Sequence, residues 1–215
     1  MELDHVFIMS SVEAPEAARL RHLGLEEGSP NTHPGQGTAC RRFVFRNAYL
    51  ELLWVCDPEE AQAERVRRAR LWDRWVNRHD GACPFGIVLR PDRDSEIRNP
   101  PFDAWAYRPP YLPAPLAIHI AVDTPVSEPE FFYLGFQRDR ARRAEPAHAI
   151  PAADITSVSL GSPVPVRSAA ARSLRHAHWF SVKPAEHYVM SLSLSAGVTG
   201  ASADLRPELP LVLRW

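Results

Sequence analysis

A single carboxylate lies in the middle of an apolar run. Glu51 is the third residue of the segment YLELLWV at residues 49–55. The alternation of side chains along a strand leaves this carboxylate with apolar neighbours on both faces, so both faces are expected to be buried. Because an unpaired buried carboxylate is costly, we expect a cation, a proton or a metal ion beside Glu51.

The candidate to share that site is a histidine near the start of the chain. His5 lies within the apolar segment LDHVFIM at residues 3–9. A histidine and a glutamate from two strands that face one cavity supply two of the three protein ligands of a common divalent-metal site. Two other interpretations stay open. His5 can form an ordinary hydrogen bond within the core, and Glu51 can form a structural ion pair with Arg41 or Arg46.

Four further residues are candidates for contact with a bound molecule. The loop HPGQGT at residues 33–38 contains glycines that let the backbone approach a ligand closely, and its His33 and Gln36 offer polar contacts. Trp105 and Tyr107 alternate on one predicted strand, where they can line a pocket for an aromatic or carboxylate-bearing substrate. The alternatives are a plain surface turn for the loop and an ordinary core stripe for the aromatic pair.

Composition argues against several classes of protein. The chain has 215 residues, of which 45% are hydrophobic, so it can bury a full core. A formal net charge of −1 argues against a bulk nucleic-acid or membrane-surface role. Three cysteines without CxxC spacing do not indicate a disulfide framework or a zinc knuckle. No signal peptide, membrane-spanning segment, phosphate-binding glycine loop or Gly-x-Ser-x-Gly elbow is visible, which predicts a cytoplasmic protein without nucleophilic catalysis.

Strand and helix patterns alternate along the chain. A strand, a helix, a loop and two strands fill the first 56 residues and predict a βαβββ unit. A helix is predicted over residues 58–77, and a charged, then Ala/Pro-rich linker or surface crossing over residues 137–151. The pattern favours one compact α+β domain made of two related sheet halves. The other predicted elements are helices at 13–23 and 166–175 and strands at 85–90, 103–108, 116–122, 155–160, 188–195 and 209–215.

The first 56 residues carry a resemblance to a known family. The segments LDHV at 3–6, HPGQGT at 33–38 and YLEL at 49–52 resemble the glyoxalase-like domain of the vicinal oxygen chelate superfamily. Weaker matches follow in PFGIVLR at 84–90 and LAIH at 116–119. The rest of the chain is similar in layout more than in motif.

The resemblance implies paired βαβββ modules that form a cupped mixed sheet around a divalent metal ion, which can be Zn, Fe, Mn or Ni. It implies a single domain over residues 1–215, with a first module at 1–56, a connecting helix at 57–79 and a divergent second half at 80–215. His5 and Glu51 match the ligand positions of the first module. The second module departs from the pattern, because Phe85-Gly86-Ile87-Val88 has no ligand and His119 is the nearby strand histidine that can supply a third one.

The function implied is metal-dependent lyase, isomerase or dioxygenase-type chemistry on a small oxygen-bearing molecule. Glu51 would act as a metal ligand or, in the catalytic role, as a base. The alternative is a metal-free protein of the same fold that binds or sequesters a small molecule, which the irregular second half favours. A third interpretation is a fold retained for dimerisation or regulation. The superfamily often builds its sites from two chains, so a homodimer is also expected.

Overall fold

Two β-sheets form most of the computed structural model, which describes residues 1–92, 95–96, 98–136, 147–150, 152–195 and 200–215. The helices are short, and among the described residues none is long and apolar enough to cross a membrane. The strands are β1 (Glu2–Met9), β2 (Asn31–His33), β3 (Thr38–Val44), β4 (Tyr49–Val55), β5 (Phe85–Arg90), β6 (Ala104–Tyr107), β7 (Ile118–Ala121), β8 (Glu130–Leu134), β9 (Ile155–Ser162), β10 (Phe180–Pro184), β11 (Val189–Leu194), β12 (Ser202–Asp204) and β13 (Leu211–Arg214). The helices are α1 (Ala17–His22), α2 (Pro58–Gln62), α3 (Glu64–Arg67), α4 (Leu71–Val76) and α5 (Ala169–Ser173).

The first sheet has eight strands in the order β2-β3-β4-β1-β5-β8-β7-β6 and curls into a half-barrel. Its centre consists of β4, β1, β5 and β8, in which almost every residue is buried. Strands that are covered on both faces contain continuous apolar runs, which explains the runs at 49–55 and 85–89. The mixed, cupped sheet confirms the predicted α+β fold class.

The two halves of this sheet have the same register. Tyr49 on β4 lies opposite His5 on β1, and Glu130 on β8 lies opposite Gly86 on β5. In both parallel pairs the facing residues are therefore 44 positions apart in the chain. Because β1 and β5 are antiparallel neighbours, a local two-fold axis between them relates the two halves of the sheet.

The second sheet covers the convex face of the first. It has five strands in the order β10-β9-β11-β13-β12. Residues that alternate along β1, such as Val6 and Ile8, pack in one cluster with Val158 and Leu160 of β9. The Asn47 side chain at the β3–β4 turn also exchanges two hydrogen bonds with the backbone of Ile155, at 2.7 and 2.9 Å. The opposite, concave face of the first sheet is left to line a cavity.

Several predicted elements need correction. The single helix over 58–77 is wrong, because α2, α3 and α4 are separate: Ala63 is extended, with ψ at 145°, and Arg70 is left-handed, with φ at 55°. The helix predicted over 13–23 shortens to α1, since Glu13 and Ala14 have positive φ. Pro15 disfavours helical geometry at Ala14 just before it. The breaks at Ala63 and Arg70 carry no glycine or proline, so tertiary packing overrides local propensity there. The helix predicted over 166–175 is present, but it is shorter and corresponds to α5.

Four strands were not predicted, namely β2, β8, β10 and β12. The strand β2 lies in a segment rich in turn residues, and β8 is a short apolar run that periodicity alone does not distinguish from a buried helix. Of the linker predicted over 137–151, residues 137–146 and 151 lie outside the described residues. The division into modules at 1–56 and 80–215 stays a prediction; within the latter range, residues 155–214 supply the second sheet.

A fully buried arginine ties α4 to the segment before β8. The Arg74 guanidinium donates to the Glu130 carboxylate at 2.9 Å and to the carbonyl oxygens of Glu128 and Val126 at 2.6 and 3.0 Å. Both members of this ion pair are removed from solvent. Burial raises the pKa of Glu130, although the positive charge of Arg74 opposes the shift. The pair fixes α4, which covers part of the cavity, against the sheet.

Candidate metal and ligand site

The concave face of the first sheet encloses a cavity of about 130 Å³. Its polar lining comes from the first half of the sheet and the loop between β2 and β3. The hydrophilic lining residues of that half are His5, Asn31, His33, Gln36, Arg42, Tyr49 and Glu51.

The second half of the sheet and the segment after β6 give the cavity an apolar wall. Ala69 and Leu71 of the α3–α4 region add to it. The lining residues of the second half are Val88, Tyr107, Tyr111, Leu112, Ile118, Ile120, Phe132, Leu134 and Phe136. A molecule in the cavity therefore meets polar groups on one side and hydrocarbon on the other.

His5 and Glu51 meet in this cavity. The distance between His5 Nε2 and Glu51 Oε2 is 3.7 Å, and Glu51 is only 5% exposed. Within the described part of the chain, His5 is the only basic side chain within 4.0 Å of the Glu51 carboxylate. The structural pairing considered above does not occur, because Arg41 binds Glu27 at 2.5 and 2.6 Å and Arg46 binds Asp154.

Neighbouring groups fix the orientation of His5. Its Nδ1 lies 2.8 Å from Asp4 Oδ1, and the other oxygen of Asp4 accepts a hydrogen bond from Arg90 at 3.2 Å. The Tyr49 ring stacks on the imidazole at 4.2 Å between centroids. A carboxylate only accepts hydrogen bonds, so Nδ1 carries the proton and Nε2 presents its lone pair to the cavity. This arrangement is typical of metal-binding histidines.

Two residues that sequence reasoning did not assign to a metal approach Glu51 from the other side. Cys40 Sγ donates to Glu51 Oε1 at 3.4 Å, and one donor atom each of His33, Cys40 and Glu51 lie within 4.8 Å of one another. Burial, followed by the charge of Glu51, raises the pKa of the Cys40 thiol. The signal for Cys40 was its place on β3: it shares a face with Arg42, which lies opposite Glu51 in the register.

The loop residues predicted to bind substrate also line the cavity. His33 Nδ1 lies 2.9 Å from Thr38 Oγ1, and Nε2 lies 3.0 Å from Asn31 Nδ2. Gln36 accepts a hydrogen bond from the Tyr111 hydroxyl at 3.0 Å. Because Tyr111 follows β6 and Gln36 precedes β3, this bond joins the two open edges of the half-barrel.

The structure does not bring His119 or Trp105 into the cavity. Ile118 and Ile120 line it, so alternation along β7 directs His119 to the opposite face. Trp105 packs at the edge of the apolar cluster, where the Arg68 guanidinium lies 4.6 Å from its ring centroid. Tyr107, two residues further along β6, does line the cavity.

Aromatic rings pack between the two halves of the sheet on its concave side. Strands β5 and β8 pair with the same offset as β1 and β4, but among the described lining residues they contribute only Val88, Phe132 and Leu134, none of which is a metal donor. A Cβ atom at Gly86 would lie 2.0 Å from Cε1 of Phe7, and the Phe7 and Phe132 rings are 5.6 Å apart. The Phe7 ring therefore fills the space above Gly86.

Comparison with known proteins agrees with this geometry. Residues 3–108 match the family described as a glyoxalase-like domain. The chain contains a glyoxalase-like domain. This match and the paired modules agree with the predicted vicinal oxygen chelate superfamily. The crystal structure of a hypothetical protein from Staphylococcus aureus is similar over 99% of this chain and 97% of that chain, with a TM-score of 0.51 and 13% identity, which supports the fold alone. No curated protein matches the chain.

The donor groups of this glyoxalase-like domain fit a divalent metal ion. Imidazole nitrogen, thiol sulfur and carboxylate oxygen together suit Zn²⁺ and similar transition metals better than Mg²⁺ or Ca²⁺, which prefer oxygen. His33, Cys40 and Glu51 present these three donors within 4.8 Å of one another, and His5 Nε2 lies 3.7 Å from Glu51 Oε2. Both nitrogens of His33 already contact hydrogen-bonding groups, so metal binding by His33 would displace one of them. Three protein donors leave a position open for substrate or water.

Proposed function

We propose that this glyoxalase-like domain binds a divalent metal ion at Glu51, with His5 on one side of the carboxylate and Cys40 and His33 on the other, and acts on a small oxygen-bearing molecule, in a lyase, isomerase or oxygenase reaction. The observation that supports the proposal is the position of Glu51. Its carboxylate is buried in the cavity, with a histidine nitrogen beside one oxygen and a cysteine sulfur beside the other. Arg42 lies opposite Glu51 in the register, but its guanidinium donates to the Ser29 carbonyl oxygen and forms no described ion pair with Glu51, so a metal ion would supply the compensating charge.

The protein groups around the cavity have distinct roles in such a reaction. When bound, the metal ion supplies a Lewis acid that stabilises negative charge on a substrate oxygen. Asp4 holds His5 in the tautomer that binds a metal. The apolar wall excludes water from the substrate, which strengthens the electrostatic interactions in the cavity. Glu51 is the only carboxylate among the described lining residues, so it is the group that would accept a proton from a substrate carbon.

Metal content tests the proposal directly. We expect near-stoichiometric metal in the untagged wild-type protein and its loss in the His5→Ala and Glu51→Ala variants, measured by elemental analysis after incubation with Zn, Fe, Mn and Ni. His119→Ala and Glu64→Ala are matched controls, because His119 faces away from the cavity and Glu64 is exposed. Both controls should keep the metal. A wild-type protein that binds none of the four ions contradicts the proposal.

A metal-free binding protein is the second candidate, and one observation favours it. Strands β5, β7 and β8 line the cavity with hydrocarbon side chains alone, so that half of the cavity offers an apolar surface and no metal donor among the described residues. Such a wall suits the sequestration of a hydrophobic compound. Absence of metal together with tight binding of apolar compounds would support this second function.

Replacement of Asp4 by asparagine should weaken metal binding about 10- to 100-fold. The asparagine amide does not favour the His5 tautomer that directs the Nε2 lone pair at the cavity. The measurement is competition for Zn²⁺ with a chromophoric chelator. Asp73→Asn, in an exposed pair with Arg70, is the control and should keep wild-type affinity. Equal affinity in Asp4→Asn and wild type would show that Asp4 does not position His5.

A further inference from the structure

The hydroxyl group of Tyr107 lies buried beside the cavity without a partner. Tyr107 is 4% exposed and lines the cavity. Its oxygen has no hydrogen-bond partner in the described part of the chain. Buried polar groups are nearly always hydrogen-bonded to the protein, because a buried group without such a partner has lost its hydrogen bonds to water and gained none in return. An unpartnered hydroxyl in a cavity wall therefore indicates a ligand that supplies the missing partner.

The surroundings of this hydroxyl define what the ligand offers. Tyr107 lies opposite Ile118 in the β6–β7 register, and Ile120, Phe132 and Leu134 continue the same wall. Tyr111 is the other tyrosine of this wall, and its hydroxyl already donates to Gln36. The wall itself is hydrocarbon, and the two charges that act on the Tyr107 hydroxyl, Arg65 and Glu60, oppose each other, so no net charge at this position favours an ionic ligand group.

The protonation state of Tyr107 sets the direction of the hydrogen bond. Burial raises the pKa of Tyr107 to about 12, with a smaller contribution from Glu60 in the same direction and an opposing one from Arg65. The side chain is a neutral phenol at physiological pH. A neutral phenol can donate and accept, but its oxygen lone pair is delocalised into the ring, so donation to an acceptor on the ligand is the stronger bond.

We propose that Tyr107 determines specificity by donating a hydrogen bond to an uncharged acceptor oxygen, of the ketone or ether kind, on a ligand with an apolar body. The oxygen-bearing head of this ligand lies towards His5 and Glu51, and its hydrocarbon lies against β7 and β8. The inference rests on the proposed function of the cavity as a small-molecule site. The substrate class is thus a neutral amphiphile with polar atoms at both ends.

Thermal unfolding of the ligand-free protein tests whether the hydroxyl is unpartnered. Tyr107→Phe should leave Tm unchanged or raise it, because the substitution removes a buried group that makes no bond. Tyr188→Phe is the matched control, since the Tyr188 hydroxyl donates to the Ser127 carbonyl at 2.7 Å. The control should lower Tm by about 2–4 °C. An equal loss in Tyr107→Phe would overturn the proposal.

Binding of two nearly isosteric probes tests the acceptor. 3,4-Dihydroxyacetophenone and 4-isopropylcatechol are both catechols, so each has two adjacent oxygens on an aromatic ring. Where the first has a carbonyl oxygen in its side chain, the second has a methyl group. Calorimetry on the full-length protein, with and without Zn²⁺, should show that wild type binds the ketone about tenfold more tightly. Tyr107→Phe should abolish this preference, whereas Tyr188→Phe should keep it.

The outcomes separate this inference from the proposed metal function. Equal affinity of wild type for the two probes, a preference unchanged in Tyr107→Phe, or no binding of either probe would overturn the inference. If the metal is present and lost in His5→Ala, the metal function would still stand in each of these cases. A ketone preference that depends on Tyr107 in a protein without metal would support the inference and contradict the metal function.

Discussion

Replacement of Gly86 by alanine is expected to lower the free energy of unfolding by about 3 kcal/mol. The new Cβ would lie 2.0 Å from Cε1 and 2.1 Å from Cζ of Phe7. The Phe7 ring has little room to retreat, because Phe132 packs on it at 5.6 Å. Gly86 is also in the central strand β5, where a backbone shift would disturb the pairing with both β1 and β8. Denaturant unfolding measures the loss.

A double-mutant cycle with Phe7→Leu identifies the cause. If the clash with the ring is responsible, the double variant should be more stable than the sum of the two single losses predicts, by at least 1 kcal/mol. Gly28→Ala is the control for loss of a glycine, because its Cβ would lie 3.2 Å from a methyl group of Val44. That control should cost less than about 1 kcal/mol. Additive losses in the cycle would show that the ring above Gly86 is not the constraint.

Replacement of Arg74 by methionine is expected to cost about 3–5 kcal/mol, because it leaves the Glu130 carboxylate buried without a counter-charge. The Glu128 carbonyl oxygen loses the Arg74 donor at the same time, and the Val126 carbonyl oxygen keeps only the Cys83 amide. Arg46→Met breaks a largely exposed pair with Asp154 and should cost less than about 1 kcal/mol, since solvent screens that pair. The measurement is denaturant unfolding of both variants.

The dependence on pH distinguishes the lost charge pair from lost packing. Burial raises the pKa of Glu130 above its ordinary value of 4.5, and removal of Arg74 should raise it further. The folded state of Arg74→Met then binds a proton more tightly than the unfolded state. Its stability should therefore rise as the pH falls towards 4.5 and decline as the pH rises. The double variant Arg74→Met, Glu130→Leu should regain stability at neutral pH. A deficit independent of pH would contradict an unpaired carboxylate as its cause.

The sequence was sufficient to predict Glu51 and His5, the two residues from which the site was first inferred. Glu51 stands out because strand alternation and the cost of a buried charge act on residues close together in the chain. The same reasoning identified His5, and the structure brings the two within 3.7 Å. The structure also excludes an ion pair of Glu51 with Arg41 or Arg46, because contacts with other segments of the chain engage both arginines. Such contacts depend on register, which no local pattern specifies.

The remaining donors could not be found in this way. Cys40 lies beside Glu51 because of the β3–β4 register, and His33 belongs to a three-residue strand inside a turn-rich segment. His119 was assigned as the nearby strand histidine that can supply a third ligand, yet the face of β7 that lines the cavity carries Ile118 and Ile120. The alternation of side chains along a strand shows only that the two faces of the strand differ. Tertiary packing determines which face lines the cavity.

The two halves of the first sheet, whose parallel strand pairs share an offset of 44 residues, each contribute one side of the cavity, and this division affects how the protein can evolve. The groups proposed for reactivity come from residues 5–51, whereas the wall proposed for recognition comes from residues 88–136. Reactivity and selectivity are therefore encoded in successive blocks of the chain that meet along one pair of strands. Exchange of the second block between relatives, with Gly86 and Phe7 kept together, offers a way to alter which molecules are accepted while the donor set is preserved.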